Sequence, residues 1–360
     1  MGQQPSLMID RAFFEPAALE HDLGRRLHTQ LTKLLPEVRV LPPRGRVPVC
    51  CPPGDIAGAY RAAKRTLVVA VRRNLTFQRC RPSADWQLPL VTSCPGLCAY
   101  CYLQTTLGPH PYIRVYVNVD EILAKAAEYA ATAATAASAA SGDGRATVFE
   151  AAATGDPIAV EPLTGALTRA VEFFGRDGRT LLRVVTKFGS VEPLLAAEHR
   201  GRTRVRFSIN TPSVVRRWEA GTATIAARLA AAAAVARAGY PIGLMIAPVL
   251  AYPGWREEYA ELAESVAATV AAGDVARGAD GKGLTFEVVT HRFTARARDL
   301  ILSRHAGAGL PMSEEGRRYR IGQFGYGKWV YDTGQMNEVK EFMADLICRH
   351  FPGAALEYVV

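Results

Sequence analysis

Residues 93–103 read SCPGLCAYCYL, with Cys94, Cys98 and Cys101 in a C-x3-C-x2-C spacing directly after a short apolar run, Leu88–Thr92. The chain has 360 residues and only 7 cysteines, so three on one loop signal shared chemistry. Thiolates are soft ligands that suit zinc or iron–sulfur centres. A structural zinc site takes four protein ligands. No second cysteine pair follows downstream, and no spacing recommends His110 as a fourth ligand. A [4Fe-4S] cubane held by only three thiolates leaves one iron open to a small molecule, as a catalytic zinc keeps an open position. The iron–sulfur reading is therefore favoured. A zinc-bearing DNA-binding protein, colourless when purified, is the non-enzymatic alternative.

Moving outward from the triplet, apolar runs recur at Leu88–Thr92, Ala146–Ala153, Leu181–Thr186, Val205–Ile209, Ile242–Val249 and Leu284–Val289. Stretches of helical character lie between them, near 119–141, 162–175, 189–199, 224–238 and 256–272. Strands alternating with helices of that length predict βαβ units and a parallel sheet. Six units make an α/β barrel or an incomplete one, whose active site lies at the C-terminal ends of the strands. Residues 1–85 read as a small N-terminal α/β layer, with helical period over Leu19–Leu35 and a strand at Thr66–Val71. Residues 86–300 read as the barrel and 301–360 as a hairpin and helix.

Composition narrows the function classes. Hydrophobic residues are 49% and charged residues 21%, the balance of a folded globular protein. So few cysteines exclude a disulfide scaffold. The first residues lack the basic start and apolar run of a secretory signal. The longest uncharged stretch, Ala238–Trp255, is broken by glycines and prolines, which suits a buried strand better than a membrane span. The expectation is a cytoplasmic protein without membrane contact, and a monomer. The net charge of +9 is weak evidence for a polyanionic partner.

That charge has a focus. Residues 316–331, GRRYRIGQFGYGKWVY, carry Arg317, Arg318, Arg320 and Lys328 beside Tyr319, Phe324, Tyr326, Trp329 and Tyr331, without one acidic residue. Alternation around Gly322, Gly325 and Gly327 predicts a β-hairpin. Basic groups serve phosphates and turn aromatics stack on bases, so this hairpin is the candidate nucleic-acid contact.

The cysteine triplet resembles the radical S-adenosylmethionine superfamily. FQRCRPSADWQLPLVTSC (77–94), CYLQTTLGPHPYIRVYVNVDEIL (101–123), RVVTKF (183–188), RFSIN (206–210) and GYGKWVY (325–331) resemble, in order, the spore photoproduct lyase family. The resemblance covers about residues 60–360. It implies a partial (β/α)6 barrel of the TIM type, a [4Fe-4S] cluster on Cys94, Cys98 and Cys101, and S-adenosyl-L-methionine on the open iron. It also implies a one-electron donor of flavodoxin or ferredoxin type and UV-damaged DNA as substrate. The implied reaction is repair of 5-thyminyl-5,6-dihydrothymine. A 5′-deoxyadenosyl radical removes the C6 hydrogen, the methylene bridge breaks, and a thymine radical is quenched. By the same resemblance Tyr100 or Tyr102 serves a radical relay, and Lys187, Ser208, Ala247 and Asp156 lie against the cofactor. His291 and Arg292 line the lesion pocket.

One departure stands out. Most members read FEAAC where this chain reads FEAAA (149–153), and that cysteine quenches the product radical. Ala153 has no S–H, and Gly155 replaces a serine. Another thiol, a non-thiol quencher, or a paralogous enzyme with another substrate are the three explanations. Cys80, fourteen residues before Cys94 and inside a matching segment, is the first candidate donor. Cys50 and Cys51 fall in a proline-rich loop and Cys348 in a C-terminal helix.

Overall fold

A computed structural model describes residues 8–48, 51–140, 146–321, 325 and 327–360. Its largest sheet has eight strands in the spatial order Ala355–Val359, Thr285–Thr290, Ile242–Val249, Thr203–Ile209, Thr180–Thr186, Thr147–Glu150, Ala84–Gln87 and Arg79–Cys80. Every ladder is parallel except the last, where Arg79–Cys80 runs antiparallel to Ala84–Gln87. The sheet curls into a half-barrel with helices on its outside, as the sequence predicts.

Strand alternation sorts the side chains. Leu182, Val184, Val205, Phe207, Leu244, Ile246, Phe286 and Val288 belong to one apolar core that the flanking helices cover. Their alternate neighbours Arg183, Arg204, Arg206, Ser208 and Glu287 point inward, so the barrel is lined by charge. Ile225–Arg237 and Trp255–Thr269 begin and end near where alanine-rich sequence predicts. Thr224 caps the first of these, its Oγ1 accepting the Ala227 N–H at 3.2 Å. Such a cap is worth about 1 kcal/mol.

Three expectations are corrected. The first barrel strand is Ala84–Gln87, four residues earlier than the apolar run that suggested it. Within that run, Val91–Thr92 pairs antiparallel with Ile113–Tyr116 in a second sheet. This five-stranded sheet also contains Arg11–Phe14, Glu37–Val40 and Thr66–Ala70. It therefore borrows two strands from beyond residue 85, and the small layer and the barrel are interleaved in sequence. Finally, 189–199 holds only a short 3-10 turn, Glu192–Leu194, with Pro193 in its first turn.

The crossover from barrel to small sheet sets up the cysteine loop. Ser93 leaves Val91–Thr92 with φ of 66°, a left-handed turn rare for non-glycine residues. Its N–H donates to Thr154 O at 2.7 Å and its Oγ to Pro111 O at 2.8 Å. It forms a bridge with Gly155. A Cβ at Gly155 would lie 2.6 Å from the Ser93 carbonyl oxygen, so glycine there lets the cysteine loop close onto the barrel.

Among the described residues no helix is long and apolar enough to cross a membrane. The hairpin forms as expected, Arg317–Ile321 pairing antiparallel with Gly327–Tyr331. Phe324 and Tyr326 lie outside the described residues.

Candidate active site

The three thiols converge at the barrel mouth. Cys94, Cys98 and Cys101 lie in one another's electrostatic field, and burial raises the first two above an ordinary thiol. Tyr60 lies within the field of all three. No group of three or more His, Cys, Asp or Glu side chains among the described residues is arranged around a single metal ion. A cubane asks for something else, one thiolate for each of three irons. Three mutually facing thiols on one loop, free of disulfides, fit that donor set.

Lys187 follows the Thr180–Thr186 strand and reaches into the mouth. Its Nζ donates to Ser208 Oγ at 2.9 Å, Tyr100 Oη at 3.1 Å, Ala247 O at 3.3 Å and Glu219 Oε1 at 2.8 Å. The fold thus unites Lys187, Ser208, Ala247 and Tyr100, which lie far apart in sequence. The Lys187 ammonium also acts on Cys98, which ties this cluster to the cysteine loop.

Asp156 stands on the same rim. Its Oδ2 accepts from Thr186 Oγ1 at 2.9 Å and from the Lys187 N–H at 3.1 Å. Burial pushes its pKa up to about 6 against these hydrogen bonds. The backbone N–H groups of Ile158 and Ala159 also act on this carboxylate, although its buried Oδ1 makes no fully formed hydrogen bond.

Cys80 and Tyr102 sit on the barrel side of the loop. Burial, with the neighbouring Glu150 carboxylate, pushes the Cys80 thiol up to about 12 against the nearby Arg206. Cys80 therefore stays S–H at neutral pH. The Tyr102 ring is exposed, but its hydroxyl turns in to donate to the Ala153 carbonyl. It lies in the field of Cys101, Cys80 and Glu150. Tyr100 is placed differently, its hydroxyl held by Glu219 and its ring beneath Lys187.

The hairpin residues divide. Arg317 is spent inward. It donates to the His291 carbonyl and to His291 Nδ1, both at 3.0 Å, and packs over Phe293 and Tyr331. His291 is buried, and burial together with Arg317 pulls its pKa down to about 3. It is a neutral packing residue in this structure, and neither it nor Arg317 is turned toward solvent. Arg318 and Tyr319 are exposed, the former donating to Thr333 Oγ1 at 3.3 Å and the latter edge-on to Trp329. Arg292, Arg320 and Lys328 form a cation cluster. Burial and the other two cations hold the Lys328 ammonium below its ordinary pKa. No carboxylate among the described residues pairs with any of the three.

Sequence reasoning missed four site residues. Glu219, fully buried, joins Lys187 to Arg228, whose Nη2 donates to Glu219 Oε2 at 2.5 Å. Arg228 is the lone cation on the buried face of an alanine-rich helix, a signal that was available. Tyr60 and Lys64 lie on Ile56–Lys64 in the small layer, and nothing local links them to the cysteines.

A cysteine triplet beside a lysine–serine pair at the mouth of a partial parallel barrel is the arrangement of a radical S-adenosylmethionine enzyme. A family description for spore photoproduct lyase matches residues 7–360. The spore photoproduct lyase of Clostridium acetobutylicum is 40% identical over 98% of this chain and 99% of its own. A solved spore photoproduct lyase complexed with dinucleoside spore photoproduct is 40% identical, with a TM-score of 0.90 over 98% of this chain and 99% of that one. A variant spore photoproduct lyase with bound AdoMet and the same dinucleoside is 41% identical, with a TM-score of 0.89 over the same shares. The chain belongs to the spore photoproduct lyase family.

Proposed function

We propose that this chain repairs the spore photoproduct in DNA, splitting 5-thyminyl-5,6-dihydrothymine into two thymines. The observation that carries the reading is the convergence of Cys94, Cys98 and Cys101 on the Lys187–Ser208 pair at one barrel mouth. The three thiolates would hold a [4Fe-4S] cluster. Lys187 and Ser208 would take the carboxylate of S-adenosylmethionine, and the Asp156 carboxylate on the same rim a donor of the same cofactor. Lys187 and Arg228 against Glu219 leave one net positive charge, the complement of that carboxylate. The bound pair supplies a 5′-deoxyadenosyl radical, delivered at the C6 hydrogen of the lesion. The adenine would lie against Ala247.

Quenching falls to Cys80. A hydrogen-atom donor must be S–H and not thiolate, which is the state burial enforces there. The thymine radical takes the hydrogen, and sulfur is left as a thiyl radical. Tyr102, within the field of Cys80, is the O–H from which sulfur recovers its hydrogen, and the phenoxyl left on Tyr102 returns to O–H with an electron from the one-electron donor and a proton from solvent. Tyr100 instead orients Lys187. Ala153 occupies the place where a donor cysteine would otherwise stand.

Duplex DNA would meet Arg292, Arg318, Arg320 and Lys328, with the aromatic side chains of Tyr319, Phe324 and Tyr326 against bases. Three unpaired cations held close together gain most from a phosphate. R320E/K328E is expected to weaken binding to lesion-bearing duplex and to reduce the salt slope by about 2, since each phosphate contact adds ~0.9. Dinucleotide turnover should be unchanged. Fluorescence anisotropy across a salt series reads the first and chromatography the second. An unchanged slope removes the hairpin from the DNA interface.

Such a substrate sets the enzyme in the cytoplasm with a flavodoxin or ferredoxin type of reductant, and a monomer suffices. The deciding assay is anaerobic turnover of synthetic dinucleoside spore photoproduct with reconstituted protein, S-adenosylmethionine and dithionite. Dithymidine is the expected product. 5′-Deoxyadenosine without dithymidine would keep the radical enzyme and assign it another substrate.

A further inference from the structure

We propose that Lys64 is the buried countercharge of the iron–sulfur cluster, fixing a positive charge against Cys94 that raises the cluster's reduction potential. The proposal rests on the cluster reading above. Lys64 ends Ile56–Lys64 and is 2% exposed. Its Nζ lies 3.7 Å from Cys94 Sγ and 3.4 Å from Ser93 Oγ. No carboxylate among the described residues forms an ion pair with it. A lysine is almost never fully buried unless it is paired, so this position calls for negative charge that the side chains around it do not supply.

The neighbours sharpen the point. Tyr60, one turn earlier, lies in the electrostatic field of all three thiols. Arg304 is the other buried cation here, but it is spent on the carbonyls of Gln104 and Gly108, at 3.0 and 3.2 Å. His305, held by the Gln104 amide, is driven down to about 4 by burial and by Arg304, Arg61 and Lys64, and so carries no charge. Lys64 is left as the ammonium in contact with a ligand sulfur. Three thiolates on a [4Fe-4S] core give a net negative unit that gains one more charge on one-electron reduction. A fixed cation at this range stabilises the reduced state more than the oxidised one, because the reduced cluster carries one more negative charge. The residue thereby eases the electron transfer that starts each turnover.

The test is an anaerobic redox titration of reconstituted wild-type, K64M, K64Q and K64R, followed by electron paramagnetic resonance and iron content. K64M and K64Q are expected to shift the midpoint negative by about tenfold in the reduction equilibrium constant, or ~59 mV for one electron. K64R should stay near wild type, because it keeps the charge. Equal midpoints in all four proteins overturn the proposal. If K64M and K64Q hold no iron while K64R does, at unchanged circular dichroism, the charge is required for the cluster itself and the proposal stands. Loss of iron in all three variants means that Lys64 only shapes the loop, and overturns it. Absence of an iron–sulfur signal in wild type would defeat the cluster reading instead.

Discussion

Cys80→Ala is expected to lower dithymidine formation roughly tenfold or more while 5′-deoxyadenosine continues to form, because it removes a group used only in the last step. Trapped adducts of the thymine radical should take the place of repaired product. The basis is geometric and chemical together. Cys80 is held as a thiol. It lies in the field of Tyr102, whose hydroxyl is tethered to the backbone of Ala153. The tether puts position 153 beside the same hydroxyl, so Ala153→Cys in the Cys80→Ala background should recover dithymidine. Chromatography of anaerobic turnover mixtures reads both variants. Full dithymidine yield from Cys80→Ala would assign the quenching to another group. Loss of 5′-deoxyadenosine together with dithymidine would place Cys80 upstream, in cofactor binding.

Arg206→Met should be the most destabilising single change in the barrel. Arg206 is almost wholly buried and donates to Glu287 Oε2 at 2.6 Å, to Ser83 Oγ at 2.9 Å and to Glu150. Burial opposes its charge, but the two carboxylates prevail and hold the guanidinium protonated more firmly than usual. Removing the cation leaves two buried carboxylates, Glu150 held by Ser83 at 2.8 Å and Glu287 only by the long Arg183 contact at 3.5 Å, at a cost of about 3–5 kcal/mol. Urea unfolding followed by circular dichroism measures it. Replacing both carboxylates as well, in E150Q/R206M/E287Q, should recover most of the loss. A loss below about 1 kcal/mol in R206M alone would show that the two carboxylates find other partners.

The legibility of this chain followed the range of its signals. The cysteine triplet, the alternation of apolar runs with alanine-rich helices, and the strand-closing Lys187 and Ser208 are all local patterns, and each lies where the barrel needs it. The first barrel strand was misread because ADWQ alternates polar and apolar over four residues, whereas the apolar run after it looks more like a core strand. The 189–199 segment has helical spacing, but Pro193 breaks any helix entering from residue 189, and only the one turn Glu192–Leu194 forms. Lys64 and Glu219 were invisible for a different reason. Their meaning lies in burial against residues 30 and 32 positions away, and a lysine at a helix end or a glutamate in a loop reads as solvated until the fold excludes water. Arg317 and His291 erred in the opposite sense, looking available in sequence while satisfying each other in the core.

Arg183 gives the half-barrel a property its backbone lacks. The sheet's two edges, the Arg79–Cys80 ribbon and Ala355–Val359, do not pair with each other. Arg183 grips both sides of that seam, donating to Ser83 O at 2.6 Å and to Glu357 Oε2 at 2.7 Å. The barrel is a hoop fastened by a clasp of charge. Its girth is set at that seam by side chains and not by a continuous ladder, so a change in girth there would be opposed by Arg183 and by no strand-to-strand pairing.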